Sequence, residues 1–468
     1  MKIFLTPILM SLIFITSSFG QERDDSHDII ITVEGWTEEE AYLGYYMGKK
    51  TYIADTAKVT NGRVIFDGDE DLDPGMYFLY TPNGVFVEFL VNEDSFSMRS
   101  EIGDIVRKME VLGSTENRLF FDLQRKMAPL TTRANSIREE LEGLSGADSL
   151  RKAQELSSIN EQVTALRRRE RDTHSDTYYS QFLNLILRPE IDISRIYSDD
   201  YTIRQREFEK YKLNFWNGTD FENRGIYRNP VFENKLNDYL EDLYGSNSAS
   251  IIQGIKKIFD NPMNKEVFRY IVMTLTNKYA QTKTMGLDAV YVYMVDTFYK
   301  SGQAYWIDES TLTKMVENSD RLKPILIGKK APLFNSVTLD GIRVSNPFSG
   351  TNKDYKIVYF YDSSKSESKE AIPMLMDAYR ELERQNISVD IISMNLFNDQ
   401  SNWESFIKET KLGGKILGDP NGISDAEFKY FISSAFQIYI LDSNDRIIAK
   451  KISVQYADDF ILDHVDGL

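Results

Sequence analysis

The sequence predicts a multidomain α+β protein. It reads as an N-terminal antiparallel β-sandwich over residues 27–112, a central all-α domain over 113–325 and a C-terminal α/β domain over 326–468. Three observations carry that reading. Short alternating apolar runs punctuated by Gly, Pro and Asn fill the first part, the mark of strands joined by tight turns. Apolar residues then recur at three- and four-residue steps, the mark of amphipathic helices. The last third alternates strand-like with helix-like segments, which implies helices layered on a central sheet. A chain of 468 residues is long enough for about three such domains, each with its own core.

The elements follow in order. "DIIITVEG" sets Ile29, Ile31 and Val33 against Ile30, Thr32 and Glu34, and "GRVIFDG", "GMYFLYTPNG" and "GVFVEFLVN" follow at short spacing. Regular short strands with Gly-bounded turns suggest a small antiparallel sandwich or barrel. The period changes at "GSTENRLFFDLQRKM", where Ser114 is placed to cap a helix that aligns Phe120, Leu123 and Met127. Leu130, Ala134, Ile137, Leu141 and Leu144 continue the stripe; after the polar "SGADS", Leu156, Ile159, Val163 and Leu166 repeat it. Two antiparallel helices packed as a hairpin are expected. "RRRERD" at Arg167–Asp172 reads as a solvated helix face with internal ion pairs. Further stripes run through "NPVFENKLNDYLEDLY" and "NKEVFRYIVMTLTNKYA". In the last third, "KIVYFY" and "SVDIISMNL" are strands followed by helices, and "FQIYILD" and "RIIAKKISV" are adjacent strands joined at Ser443-Asn444-Asp445.

Composition bounds the function. Lys plus Arg number 55 against 72 Asp plus Glu, a formal charge of −17, which disfavours nonspecific attraction to nucleic acid or anionic lipid. Residues 1–20 read as a cleavable signal peptide: Met1-Lys2, the apolar "IFLTPILMSLIFI", then "TSSFG" with Ser18 and Gly20 suited to cleavage. The apolar run is short for a permanent span, so no stable membrane insertion is expected after cleavage. The chain has no cysteine, which leaves no disulfide, thiolate metal site or cysteine nucleophile. It also leaves no lipoprotein anchor, and a periplasmic location is the expectation.

"IGKKAPLFNSVTLDG" followed by "KIVYFYDSSKSESKEAIPML" resembles the TlpA-like branch of the thioredoxin superfamily, over about residues 327–468. In that family a strand ends in a turn and Cys-x-x-Cys opens a helix, with a proline eight residues after the first cysteine. Counting back from Pro373 puts Lys365 and Ser368 at the two redox positions. A cis-proline ahead of the next strand is the second landmark of the family, and in "SSAFQIYILD" Phe436 stands there. Thiol chemistry needs a thiolate of lowered pKa and a second thiol to resolve the mixed disulfide, which neither lysine nor serine supplies. "YYMGKKTYIADTAKVTNGRVIFDG" through "VLGSTENRLF" resembles an N-terminal β-domain of unknown function that precedes periplasmic thioredoxin-like domains, and the middle segments resemble its helical insert.

No catalytic residue, cofactor or metal site is expected. His27, His174 and His464 fall in three different predicted domains, so no His-based triad or metal centre is suggested. Asp67, Asp69, Asp71 and Asp73 alternate as Ca²⁺ ligands would, but Phe78 stands where a Ca²⁺ loop needs its closing glutamate. Glu367 and Glu370 suit the first turn of a helix. The resulting expectation is a noncatalytic, thioredoxin-like periplasmic protein, a binding or scaffold module for an envelope protein or extended polypeptide. Tyr361, Lys365, Ser368 and Phe436 would line its contact surface. Two alternatives are a thiol-disulfide oxidoreductase, opposed by the missing cysteines, and a glycan or peptide sensor using Trp216 and Trp306 as stacking platforms.

Overall fold

The computed structural model describes residues 26–82, 84–351 and 353–467, so the apolar leader lies outside the described residues. The chain divides into two compact units. Among the described residues, the first holds those from 26 to 207 with 213–220 and 224–235; the second holds 208–212, 221–223 and those from 236 to 467. Helices from the middle of the sequence therefore contribute to both.

The first unit opens with eight strands: β1 (His27–Glu34), β2 (Glu40–Met47), β3 (Lys50–Lys58), β4 (Arg63–Gly68), β5 (Gly75–Tyr80), β6 (Phe86–Val91), β7 (Ser95–Glu101) and β8 (Glu110–Leu112). They form two four-stranded sheets, β4-β1-β7-β8 and β3-β2-β5-β6. Ile29, Ile31 and Val33 of β1 turn inward, as their alternation requires. They meet Leu43, Tyr77, Leu79 and Phe89 from the other sheet in one core. One pairing corrects the expected all-antiparallel arrangement. β1 and β7 run parallel, with Ile29 opposite Phe96 and Ile31 opposite Met98. Five intervening strands supply the long crossover that a parallel pair needs.

Helices α1 (Thr115–Leu141), α2 (Gly146–Thr173), α3 (Tyr178–Ile186) and the short α4 (Ile193–Ile196) follow. Ser114 caps α1, its hydroxyl accepting from the Asn117 amide at 3.0 Å. Asn117 then imitates a strand: its side chain accepts from Leu90 N and donates to Leu90 O, both at 2.7 Å. Buried Glu116 accepts the Tyr178 and Tyr179 amides at the start of α3, where a carboxylate complements the helix dipole. These bonds tie α1 and α3 to the sandwich, and Phe120, Phe121 and Phe182 extend its core. The expected α1–α2 hairpin is present, with Ala134 and Ile137 packed on Ile159.

α5 (Tyr201–Asn214) and α6 (Pro230–Glu241) contribute residues to both units. α7 (Ser248–Phe259), α8 (Lys265–Ala280), α9 (Asp288–Met294) and α10 (Glu309–Leu322) belong to the second. There they join a seven-stranded sheet ordered β10-β9-β13-β12-β11-β14-β15. Its strands are β9 (Ser336–Val337), β10 (Arg343–Val344), β11 (Tyr355–Tyr361), β12 (Val389–Asn395), β13 (Lys415–Gly418), β14 (Phe436–Leu441) and β15 (Ile447–Lys450). α11 (Ser366–Arg384), α12 (Gln400–Thr410), α13 (Ala426–Lys429) and α14 (Ala457–Asp466) complete it. β11 runs parallel to β12 through α11, and β14 and β15 return antiparallel beside β11. β11 is buried on both faces. Ile357, Tyr359 and Tyr361 pack with α11, α12 and α14, while Val358 and Phe360 pack with Phe334 and Tyr430.

Candidate functional site

The end of β11 is where the sequence places its candidate site. β11 stops at Tyr361 and α11 starts at Ser366, leaving a four-residue turn. Asp362 shapes it: one carboxylate oxygen accepts from Ser364 N at 2.8 Å and Ser364 Oγ at 2.6 Å, an Asx turn. The backbone closes with Lys365 N donating to Asp362 O at 3.1 Å. Asn395, at the end of the neighbouring β12, accepts from Ser363 N at 3.1 Å and so fixes the turn from the side. Ser363 Oγ alone is buried here without a partner among the described residues.

Lys365 occupies the N-cap position of α11, with extended backbone, an exposed side chain and no capping bond. Ser368 lies in the first helical turn and is completely buried. Its hydroxyl donates to the Ala435 carbonyl at 2.8 Å, and its own carbonyl accepts from Tyr359 Oη at 2.7 Å. Ala435 O also accepts from Asp362 N at 2.9 Å. Ala435 directly precedes Phe436, so the Ser368 hydroxyl joins the two positions that the resemblance singles out. No cis peptide bond occurs among the described residues. Phe436 is half-buried, opposite Tyr361 in the β11–β14 pairing and 6.0 Å from the Tyr359 ring.

Tyr361 and Ser368 correct the expected contact surface: both are core residues. Tyr361 stacks between Tyr359 at 5.2 Å and Phe406 at 5.0 Å, and accepts from Trp403 Nε1 at 3.0 Å. Burial pushes its phenol well above the ordinary tyrosine range. What remains accessible is Lys365, the rim of Phe436 and the exposed Ser433 and Ser434. Sequence reasoning missed Asp362, Asn395, Trp403 and the Ala435 carbonyl. The alternation of "KIVYFY" was a usable signal for Tyr361, because it shares a face with Ile357 and Tyr359.

The chemistry available at the turn is narrow. A buried hydroxyl bonded to a carbonyl needs a base to become a nucleophile. The second unit's sole histidine, His464, instead bonds Tyr355 Oη at 3.0 Å, at the far end of β11. The residues weighed for other roles are placed structurally. Trp216 is buried, and Trp306 packs edge-on against Phe268, Tyr299 and Tyr305. Within the acidic stretch, Asp73 pairs with buried Arg228 at 3.2 Å. His27 bonds Glu70 O at 2.6 Å. In the basic run, Arg168 pairs with Glu190 at 3.0 Å. Among the described residues no helix is long and apolar enough to cross a membrane.

Comparison with known proteins yields a family match and solved structures. Residues 28–120 match a domain of unknown function, DUF4369. That segment spans the eight strands and ends just past Glu116 and Asn117. No curated protein sequence matches the chain. Among the similar solved structures are proteins and domains described as thioredoxin-like or as thiol-disulfide oxidoreductases. A domain described as a possible thiol-disulfide isomerase from Cytophaga hutchinsonii is 26% identical, covering 31% of this chain and 96% of that one, with a TM-score of 0.28. A thioredoxin-like protein from Bacteroides caccae is 16% identical, covering 59% and 98%, with a TM-score of 0.44. A thiol-disulfide oxidoreductase from Bacteroides fragilis is 23% identical, covering 29% and 99%, with a TM-score of 0.26.

Proposed function

We propose that this chain is a noncatalytic, thioredoxin-like protein of the periplasm that holds an extended segment of an envelope protein or polypeptide against the edge carrying Lys365 and Phe436. The observation that carries this reading is the bond from Ser368 to the Ala435 carbonyl. It fixes the strand–turn–helix shape with a group that has no redox chemistry, so the shape stands without the reaction. Exposed Lys365 and half-exposed Phe436 offer one cation and one apolar ring to a passing backbone. The order of segments, β-rich 27–112, helical 113–325 and thioredoxin-like 326–468, makes the first two the scaffold and the third the contact module. Export is part of the proposal: N-terminal sequencing of the mature chain should begin close to Gln21, and retention of Met1 would refute it.

The surface is tested by recovery of partners from envelope extract with the intact chain and with a Lys365→Glu, Phe436→Ser variant. Both positions are accessible, so the variant keeps the fold and loses the partner. Equal recovery sinks the surface assignment. Dithiol-dependent reduction of insulin by the purified chain tests the other half, and turnover above buffer would overturn the noncatalytic reading.

A further inference from the structure

A second feature of the second unit serves neither the turn nor the proposed edge. A cavity of about 460 Å³ opens where the end of α8 and the start of α9 meet α10, the segment after α13 and the end of β15. That volume lies within the range of small-molecule pockets. Lys283, Lys450 and Lys451 line it against one carboxylate, Asp288, in a chain whose net charge is −17. Asp288 is already committed. The buried Lys450 ammonium donates to it and, at 2.8 Å, to the Ile325 carbonyl. Lys283 and Lys451, exposed at the mouth, form no close ion pair with a carboxylate among the described residues, although Asp288 acts on Lys451 through space. Met285, Tyr291 and Phe431 supply apolar wall.

Two further observations distinguish this cavity from an ordinary crevice. Phe431 and Lys451 both have left-handed backbone, with φ of 50° and 57°. Of the other four non-glycine residues with positive φ, Asn61, Asn386 and Asp445 are types that tolerate it, and Lys411 closes a helix. Phe431 likewise closes a helix, following α13 with Ile432 N bonded to Glu427 O at 3.0 Å, which leaves Lys451, in the lining of the cavity, as the position without such a reason. The Lys451 ammonium lies 5.1 Å from the centre of the Phe431 ring, so the unfavourable backbone holds a cation and an aromatic wall together at the mouth. The second observation is Asp288 Oδ1, a buried acceptor in the wall with no donor among the described residues. Such an atom calls for a donor.

We infer that this cavity binds a small organic anion, a carboxylate or phosphate ester with an apolar body and a hydroxyl or amide donor. Lys283 and Lys451 take the anionic head, Phe431 and Tyr291 flank the body, and Asp288 Oδ1 accepts from the donor. The Lys450–Asp288 pair holds that acceptor in place.

The test uses the full chain and three related probes followed by calorimetry and thermal unfolding. Mandelate carries carboxylate, ring and hydroxyl; phenylacetate lacks the hydroxyl; mandelamide lacks the charge. Phenyl phosphate, run beside them, distinguishes a phosphate head from a carboxylate head. Mandelate or phenyl phosphate should raise the unfolding midpoint, with phenylacetate weaker than mandelate and mandelamide inert. A Lys283→Gln, Lys451→Gln variant changes only residues at the mouth and keeps the fold. Its affinity for the bound anion should fall at least about tenfold, the scale of a lost charged hydrogen bond. The inference is overturned if neither anion stabilises the chain, if mandelamide does so equally, or if the double variant binds as the parent does.

Discussion

The turn after β11 and the cavity beside β15 lie in the same unit and differ in how far their polar groups are satisfied. At the turn the Ser368 hydroxyl, the Asn395 amide and the Asp362 carboxylate find protein partners, the Ser363 hydroxyl alone is buried without one among the described residues, and an aromatic stack fills the space beneath. At the cavity a buried carboxylate oxygen has no donor among the described residues, Lys451 holds a disfavoured backbone, and the Lys283 and Lys451 ammonium groups form no close ion pair among the described residues. Satisfied polar groups are what a protein uses to hold a shape. Unsatisfied groups and strain persist where a ligand is to complete them. The familiar-looking turn is thus the better built of the two, and the less familiar cavity has more left to bind.

The strongest way to break the comparison is at the aromatic stack. Trp403 is fully buried, holds the Tyr361 hydroxyl and fills the space over Gly418, where a Cβ would meet its ring at 2.6 Å. Trp403→Ala should cost about 3–5 kcal/mol in urea unfolding. A loss below about 1 kcal/mol would mean that the space under the turn is loosely filled, and that the turn is not held from below.

A buried cation in the first unit sharpens the point about satisfaction. Lys235 is 1% exposed and donates only to carbonyls, Asn184 O at 2.6 Å and Leu187 O at 3.3 Å, beside the rings of Phe215 and Trp216. Burial, helped by Arg188 and Arg171, lowers its pKa to about 7. An unfolded lysine titrates near 10.4, so between about pH 7 and about pH 10 the unfolded chain holds a proton that the folded chain lacks. Stability should therefore rise with pH across that window, by about 1.4 kcal/mol per unit at most. Unfolding curves of the parent and a Lys235→Met variant isolate the effect, because their difference should carry that slope. Parallel profiles would show that the amine stays charged on its carbonyls.

Much of this architecture was legible because local spacing governs it. The α1–α2 stripe, the Ser114 cap, the β5–β6 hairpin and the β11–α11–β12 alternation each follow from side-chain period and turn chemistry. The parallel β1–β7 pairing was not legible, because it depends on a partner far along the chain. At the site, Lys365 and Ser368 could be placed by counting from Pro373, but the burial of Tyr361 and Ser368 depends on α12 and the Ala435 carbonyl. The cavity was invisible for a further reason. Left-handed glycines announce themselves, whereas a Phe or Lys in that conformation looks like any other.

The last two substitutions set the two regions side by side at small energies. Ser368→Ala removes a satisfied donor while Ala435 O keeps its bond from Asp362 N. The loss should be about 1 kcal/mol, the net value of one hydrogen bond. Lys451→Gly should move stability the other way. It relieves a left-handed residue worth roughly 1–2 kcal/mol and forfeits a cation–aromatic contact worth about 0.5–1 kcal/mol at an exposed site, leaving a gain of up to about 1.5 kcal/mol. The same change should weaken binding of mandelate or phenyl phosphate, because the cation at the mouth is gone. Stability gained while affinity is lost is the signature of backbone strain kept for a ligand. A loss of both would mean that the Lys451 side chain supports the fold, and that its left-handed backbone costs less than its packing returns.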